Sequence, residues 1–178
     1  MYQSLRWGAF LLAFAGLEGF FDELVDYRAE HLRTIKINVD SLVREIEASW
    51  PGTSLRTAHW VTYTRGPATK PNMNKSEWHK LVGKKKINDY LTDMKDIRNI
   101  LAHGGDGYLT TKPKSETLWP TKKHGYSLRM MGVEGFIRFS EDLATWVGID
   151  VAGDAIVRPS WPMPTPTGVS RENVPPRP

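Results

Sequence analysis

The sequence predicts an all-α protein, a helical bundle with long loops and a proline-rich tail. Four stretches have apolar residues recurring every three or four positions, as the buried face of a helix requires. The segments between them are polar and contain Pro and Gly. Seven of the last twenty residues are proline, so no packed element is expected there.

The first helix is expected from about Gln3 to the region of His31. Phe10, Phe14, Leu17, Phe21 and Leu24 step by four and three, while Glu18, Asp22, Glu23 and Asp26 form its polar face. Arg6, the apolar run Trp7–Phe21 and Ala13-Phe14-Ala15 imitate a secretory signal. The periodicity continues past that apparent cleavage point, and Glu18 interrupts a run already short for a membrane span, so a core helix is the better reading. A second helix carries Val39, Leu42, Val43, Ile46 and Trp50 on one face and stops at Pro51-Gly52.

Thr53–Lys75 reads as a long loop that admits a short extended piece at Trp60–Thr64, and long loops of this kind are often functional. Ser76 caps a short helix through Trp78 and Leu81. A stronger helix follows, with Ile87, Tyr90, Leu91, Met94, Ile97 and Leu101 at helical spacing, and Gly104-Gly105 closes it. Residues 106–126 read as another loop. The last helix spans Ser127–Val147, burying Val133, Phe136, Ile137, Leu143 and Val147, with Gly148 as its stop. The helical domain thus covers residues 1–150, and residues 151–178 form a disordered tail.

Charge is distributed unevenly. Residues 1–50 carry five Lys and Arg against eight Asp and Glu, residues 56–129 fifteen against six, and residues 130–178 four against six. The net +4 is therefore concentrated in the middle third, which would attract a polyanion such as RNA. Lys84, Lys85 and Lys86 precede the strong helix, and Lys112, Lys114, Lys122 and Lys123 lie in the following loop. Trp60, Tyr63, Trp78, Tyr108, Trp119 and Tyr126 interleave with these cations and are candidates for stacking on unpaired bases.

Several chemistries are excluded. There is no cysteine, hence no disulfide, thiol nucleophile or cysteine-based metal centre; this is compatible with the cytoplasmic location expected here. The histidines lack metal-ligand spacing, and no phosphate-binding Gly-rich loop or Gly-x-Ser-x-Gly elbow occurs, so no metal or cofactor is expected.

One string carries chemistry: Asp96-Ile97-Arg98-Asn99-Ile100-Leu101-Ala102-His103-Gly104. Asn99 and His103 share a helix face, whereas Arg98 and His103, five positions apart, diverge by about 140°. Arg-Asn-x-x-Ala-His-Gly near a helix end resembles the Arg-x4-His motif of the HEPN superfamily. The resemblance implies an up-and-down helical bundle over about residues 5–148, acting as a homodimer in which motifs from both chains line one cleft. It further implies a hydrolase, a metal-independent endoribonuclease of toxin–antitoxin or phage-defence type. In that family reading His103 serves as general base or acid, Arg98 holds the scissile phosphate, and Asn99 orients His103 or a phosphate oxygen. Lys84, Lys85, Lys86, Lys112, Lys122 and Lys123 would guide the RNA, and a cognate antitoxin or defence-system protein is an implied partner.

Toxins of this family controlled by nucleotidyltransferases often carry a tyrosine two residues after the histidine. Gly105 stands there, and the nearest downstream tyrosine is Tyr108, so control by AMP transfer is not supported. Two other readings accompany the nuclease. One is a non-catalytic HEPN dimer that binds RNA or a protein partner. The other is a plain C-cap, with His103 bonded to terminal carbonyls and Arg98 paired with an acidic neighbour.

Overall fold

The computed structural model describes residues 2–26, 38–68, 75–122, 124–153 and 174–178. Its elements in chain order are α1 (Tyr2–Asp26), α2 (Val39–Ser49), a 3-10 turn (Thr57–His59), β1 (Val61–Pro67) and β2 (Ser76–Val82), followed by α3 (Gly83–Ala102), β3 (Tyr108–Leu109), β4 (Trp119–Thr121), β5 (Gly125–Ser127) and α4 (Met130–Ala152). The all-α expectation, and with it the up-and-down bundle, is overturned: the chain is mixed α/β, with β1 and β2 forming one antiparallel sheet and β3-β5-β4 another.

The helices follow their apolar periods. Phe10, Phe14, Leu17, Phe21 and Val25 of α1 are all buried, and Phe10 and Phe14 meet Phe136 of α4 at ring-centroid distances of 5.2 and 5.6 Å. Tyr90 of α3 sits edge-on to Phe139 at 4.6 Å, completing an aromatic core shared by three helices. Each such ring contributes roughly 1.5–3 kcal/mol by leaving water. Asn38 caps α2 by accepting from the Ser41 N–H at 2.8 Å, while the Val39 N–H donates to Asn88 and ties α2 to α3.

The expected Ser76–Leu81 helix is instead strand β2, and the loop before it contains β1. Trp78 and Leu81 are three apart and mimic a helical step, but pairing decides the conformation: Val61 lies opposite Val82 and Pro67 opposite Ser76 across a full antiparallel register. β1 was hard to read because its fully buried inward positions are Thr62 and Thr64, polar residues by composition. The Thr64 hydroxyl donates to the Tyr90 hydroxyl at 2.7 Å, whereas the Thr62 hydroxyl is buried without a hydrogen-bond partner among the described residues. Residues 106–126 likewise contain strands where a loop was expected.

Helix α4 lies along β1. A Cβ on Gly135 would stand 2.2 Å from the Arg65 backbone nitrogen, so helix and strand approach closer than any side chain permits. The closing helix begins at Met130 and ends at Ala152, later at both ends than the sequence suggests. Most of the expected tail, residues 154–173, lies outside the described residues, while residues 174–178 lie against α4 through Arg138 and Glu141. No helix among the described residues is long and apolar enough to cross a membrane.

Asp93, buried in the middle of α3, organises the segment after it. It accepts from the Lys114 N–H at 2.9 Å and from the Ser115 N–H and hydroxyl at 2.7 and 2.6 Å. Burial pushes the Asp93 carboxyl up, and these three donors offset the rise only in part. An acid that holds its proton to higher pH in the folded chain stabilises most below its unfolded pKa and loses that contribution as pH rises through the folded one.

Gly135→Ala should destabilise the fold by about 1–3 kcal/mol, measured by denaturant unfolding, because the strand must retreat. Gly16→Ala on the open side of α1, where a Cβ meets nothing, should be neutral or stabilising by up to ~1 kcal/mol. For Asp93, the stability of wild type relative to Asp93→Asn should increase as pH falls from 7 towards 4; a gap that narrows would contradict the upward shift.

Candidate functional site

Arg98, Asn99 and His103 occupy the last turns of α3 and its cap. The helix ends because Gly104 adopts φ +79°, a left-handed conformation that glycine takes without strain. The Gly105 N–H then donates back to the Ile100 carbonyl at 2.8 Å, and the Gly104 N–H to Leu101 at 3.1 Å. These bonds satisfy the helix end through backbone alone. The C-cap reading anticipated a bond from the His103 ring to the terminal carbonyls, but the ring is exposed and makes no hydrogen bond among the described residues.

Arg98 is differently placed. Its guanidinium donates to Glu18 of α1 at 3.3 Å and to the Asn99 side-chain oxygen at 3.2 Å, and it lies 5.8 Å from the centre of the Phe14 ring. The acidic neighbour is thus present, contributed by α1. Asn99 shares its face with His103 and at the same time holds Arg98. The Arg98 and Glu18 side chains remain 39% and 32% exposed, so the guanidinium keeps donors available to an anion arriving from solvent.

Sequence reasoning left Glu18 out of the site. The signal was a lone carboxylate inside an otherwise apolar stretch of α1, which composition alone marks only as an interruption.

Beyond the cap, Asp106, Tyr108, Thr110, His124 and Gly125 line an open depression of about 340 Å³. The Tyr108 and His124 rings in its lining are in contact, with centroids 5.1 Å apart and planes tilted by 38°, on strand β3 and on the turn before β5. Among the described residues, no group of three or more histidine or carboxylate side chains could hold a metal ion.

The candidate RNA-binding lysines fall into two groups. Lys84, Lys85 and Lys86 are exposed at the start of α3, about 27 Å along the helix axis from His103, and the Lys84 ammonium pairs with Asp40. Lys112 and Lys122 are exposed on the segment that follows the cap, and Lys122 is two residues from His124. Lys123 lies outside the described residues. Among the aromatic candidates, Trp60 and Trp119 are buried, 0% and 1% exposed, and belong to the interior, whereas Tyr63, Trp78, Tyr108 and Tyr126 are partly exposed.

A partly exposed ion pair couples weakly, by about 0.2–1 kcal/mol. A double-mutant cycle on Glu18→Ala and Arg98→Ala, read as unfolding free energy, should return a coupling within that range. A value of several kcal/mol would make the pair a structural clamp instead. Known protein-family models, curated proteins and solved structures give no match to this chain.

Proposed function

We propose that the chain is a metal-independent endoribonuclease acting through Arg98, Asn99 and His103. The observation that carries this reading is the solvent-facing His103 ring, without a hydrogen bond among the described residues, at the end of the helix whose Arg98 is held by Asn99 and by Glu18 of α1. A histidine needed only as a cap would be bonded to the helix end, and the backbone already satisfies that end.

In the proposed reaction, a neutral His103 ring takes the proton from a ribose 2′-hydroxyl, whose oxygen attacks the adjacent phosphorus. The 5′-oxygen leaves and receives a proton from a second, protonated histidine. The products are a 2′,3′-cyclic phosphate and a 5′-hydroxyl end. Arg98, permanently charged, stabilises the negative charge that builds on the phosphoryl oxygens. Glu18 and Asn99 are positioning residues that aim the guanidinium.

The second histidine comes from a second copy of the chain, because Arg98 and His103 diverge around one helix. A twofold pairing presents the same patch from both sides and supplies both an acid and a base. An exposed apolar face on α1, where Leu5 and Leu12 are 68% and 76% exposed, supports such an interface. The depression lined by Tyr108 and His124 offers aromatic surface for a nucleobase, and Lys112 and Lys122, exposed on the same segment of chain, are the cations proposed for the phosphates. Toxin or defence activity, with a neutralising or activating protein partner, belongs to this reading through the motif resemblance alone.

The test is cleavage of mixed RNA by the purified chain in EDTA. Wild type should yield cyclic-phosphate ends, and His103→Ala and Arg98→Ala should each lose about 10²–10⁴-fold in rate while remaining folded. Asn99→Ala should lose less. Equal cleavage by wild type and both variants would sink the assignment. RNA binding that survives in all three without cleavage would favour the non-catalytic reading.

A further inference from the structure

The segment Val174–Pro178, Val-Pro-Pro-Arg-Pro, is seated on α4 by a site assembled from α4 and β1. Arg138 supplies the floor. One terminal nitrogen of its guanidinium donates to two successive backbone carbonyls, Pro175 at 3.2 Å and Pro176 at 2.9 Å. Prolines have no N–H, so these carbonyls are the only polar backbone groups such a segment offers at those positions.

The receiving guanidinium is fixed in advance. Its Nε donates to Asp142 at 2.7 Å, and Asp142 in turn accepts from the Tyr63 backbone N–H of β1 at 3.0 Å. With the segment seated, the Arg138 and Asp142 side chains are 7% and 1% exposed, and the Nε–Asp142 bond orients the guanidinium towards it. The Tyr63 ring lies 6.0 Å from the same guanidinium. Selectivity for the next residue comes from Glu141, whose carboxylate pairs with Arg177 at 2.8 Å.

We infer that Arg138, Glu141, Asp142 and Tyr63 form a peptide-binding site for proline-rich segments of Pro-Pro-Arg type, and that residues 174–178 are its tethered ligand. A buried guanidinium aimed at consecutive carbonyls recognises an extended segment whose shape is already fixed by its prolines. The ordering cost that weakens most flexible peptides is small here. Glu141 adds a charge requirement one residue further on. Arg138 lies about 20 Å back along α4 from its end, a span that the twenty intervening residues 154–173 bridge easily. Tethering keeps the segment at an effective concentration on the order of millimolar. A free Pro-Pro-Arg peptide must compete with it.

The test uses the full chain and a fluorescently labelled, end-blocked Val-Pro-Pro-Arg-Pro peptide, read by anisotropy. In the full chain carrying Pro175→Gly, Pro176→Gly and Arg177→Ala, the site is intact but its ligand is spoiled. The peptide should bind this variant at least tenfold more tightly than wild type. Adding Glu141→Ala should remove most of that affinity. A chain with Glu141→Arg should prefer a Val-Pro-Pro-Glu-Pro peptide, which keeps the proposal testable if the triple variant misfolds. Equal affinity for wild type and the triple variant, no binding to either, or indifference to Glu141 would overturn the site. A wild-type dimer that the triple variant converts to monomer would overturn the tethered seating in favour of exchange between copies. None of these outcomes depends on RNA cleavage.

Discussion

Strand β1 is the outer edge of a two-stranded sheet, and its outward-facing N–H and C=O groups must be satisfied before it can be buried. Helix α4 satisfies them with side chains. Asp142 accepts from the Tyr63 N–H at 3.0 Å, and the Trp146 indole donates to the Val61 carbonyl at 2.7 Å. Glycine at position 135 then lets the helix come close enough for these bonds to form. One turn beyond Trp146, Asp150 accepts from the Trp60 indole at 2.8 Å and from the Arg56 backbone N–H at 2.8 Å, fixing the entry to the strand. With β1 covered in this way, β2 can pair on its other side and lead directly into α3. The direction of α3, and so the position of His103 at its far end, depends on a strand edge that helix side chains have closed.

The four helices were legible because most of their buried residues are apolar and recur at the helical period, although α3 and α4 also bury Asp93, Arg138 and Asp142 and leave Ile137, expected in the core, 40% exposed. Helices α1 and α4 meet through Phe10, Phe14 and Phe136, all read from spacing. The strands were hidden for three distinct reasons. β1 turns threonines inward, and the hydroxyl that receives Thr64 there belongs to Tyr90 of α3, a partner 26 positions away. β2 has an apolar spacing equally compatible with a helix, and only its partner resolves the choice. The small sheet after α3 is held by Asp93 and by strands of two or three residues, too short to display any period.

The proposed site is read from one helix, unlike the fold around it. Arg98, Asn99 and His103 could be picked out because a motif ties residue type to spacing, and spacing within one helix translates directly into geometry. Glu18 could not, since its partner lies 80 positions away. Lys84–Lys86 and His103 stand at either end of one 20-residue helix in the sequence and so occupy its opposite ends in space. Proximity along a chain is a poor guide to a shared surface once a helix intervenes.

Asp93 has a consequence for how any ligand would be met. By anchoring Lys114 and Ser115 to the side of α3, it makes the segment carrying Tyr108 and the β3-β5-β4 sheet an outgrowth of that helix, not an independent lid. Helix and depression are thus joined by buried hydrogen bonds as well as by the chain between them. A ligand reaching this surface finds its shape already set, so selection rests on how well the incoming molecule fits or can itself bend. The conformational work of recognition falls on the ligand.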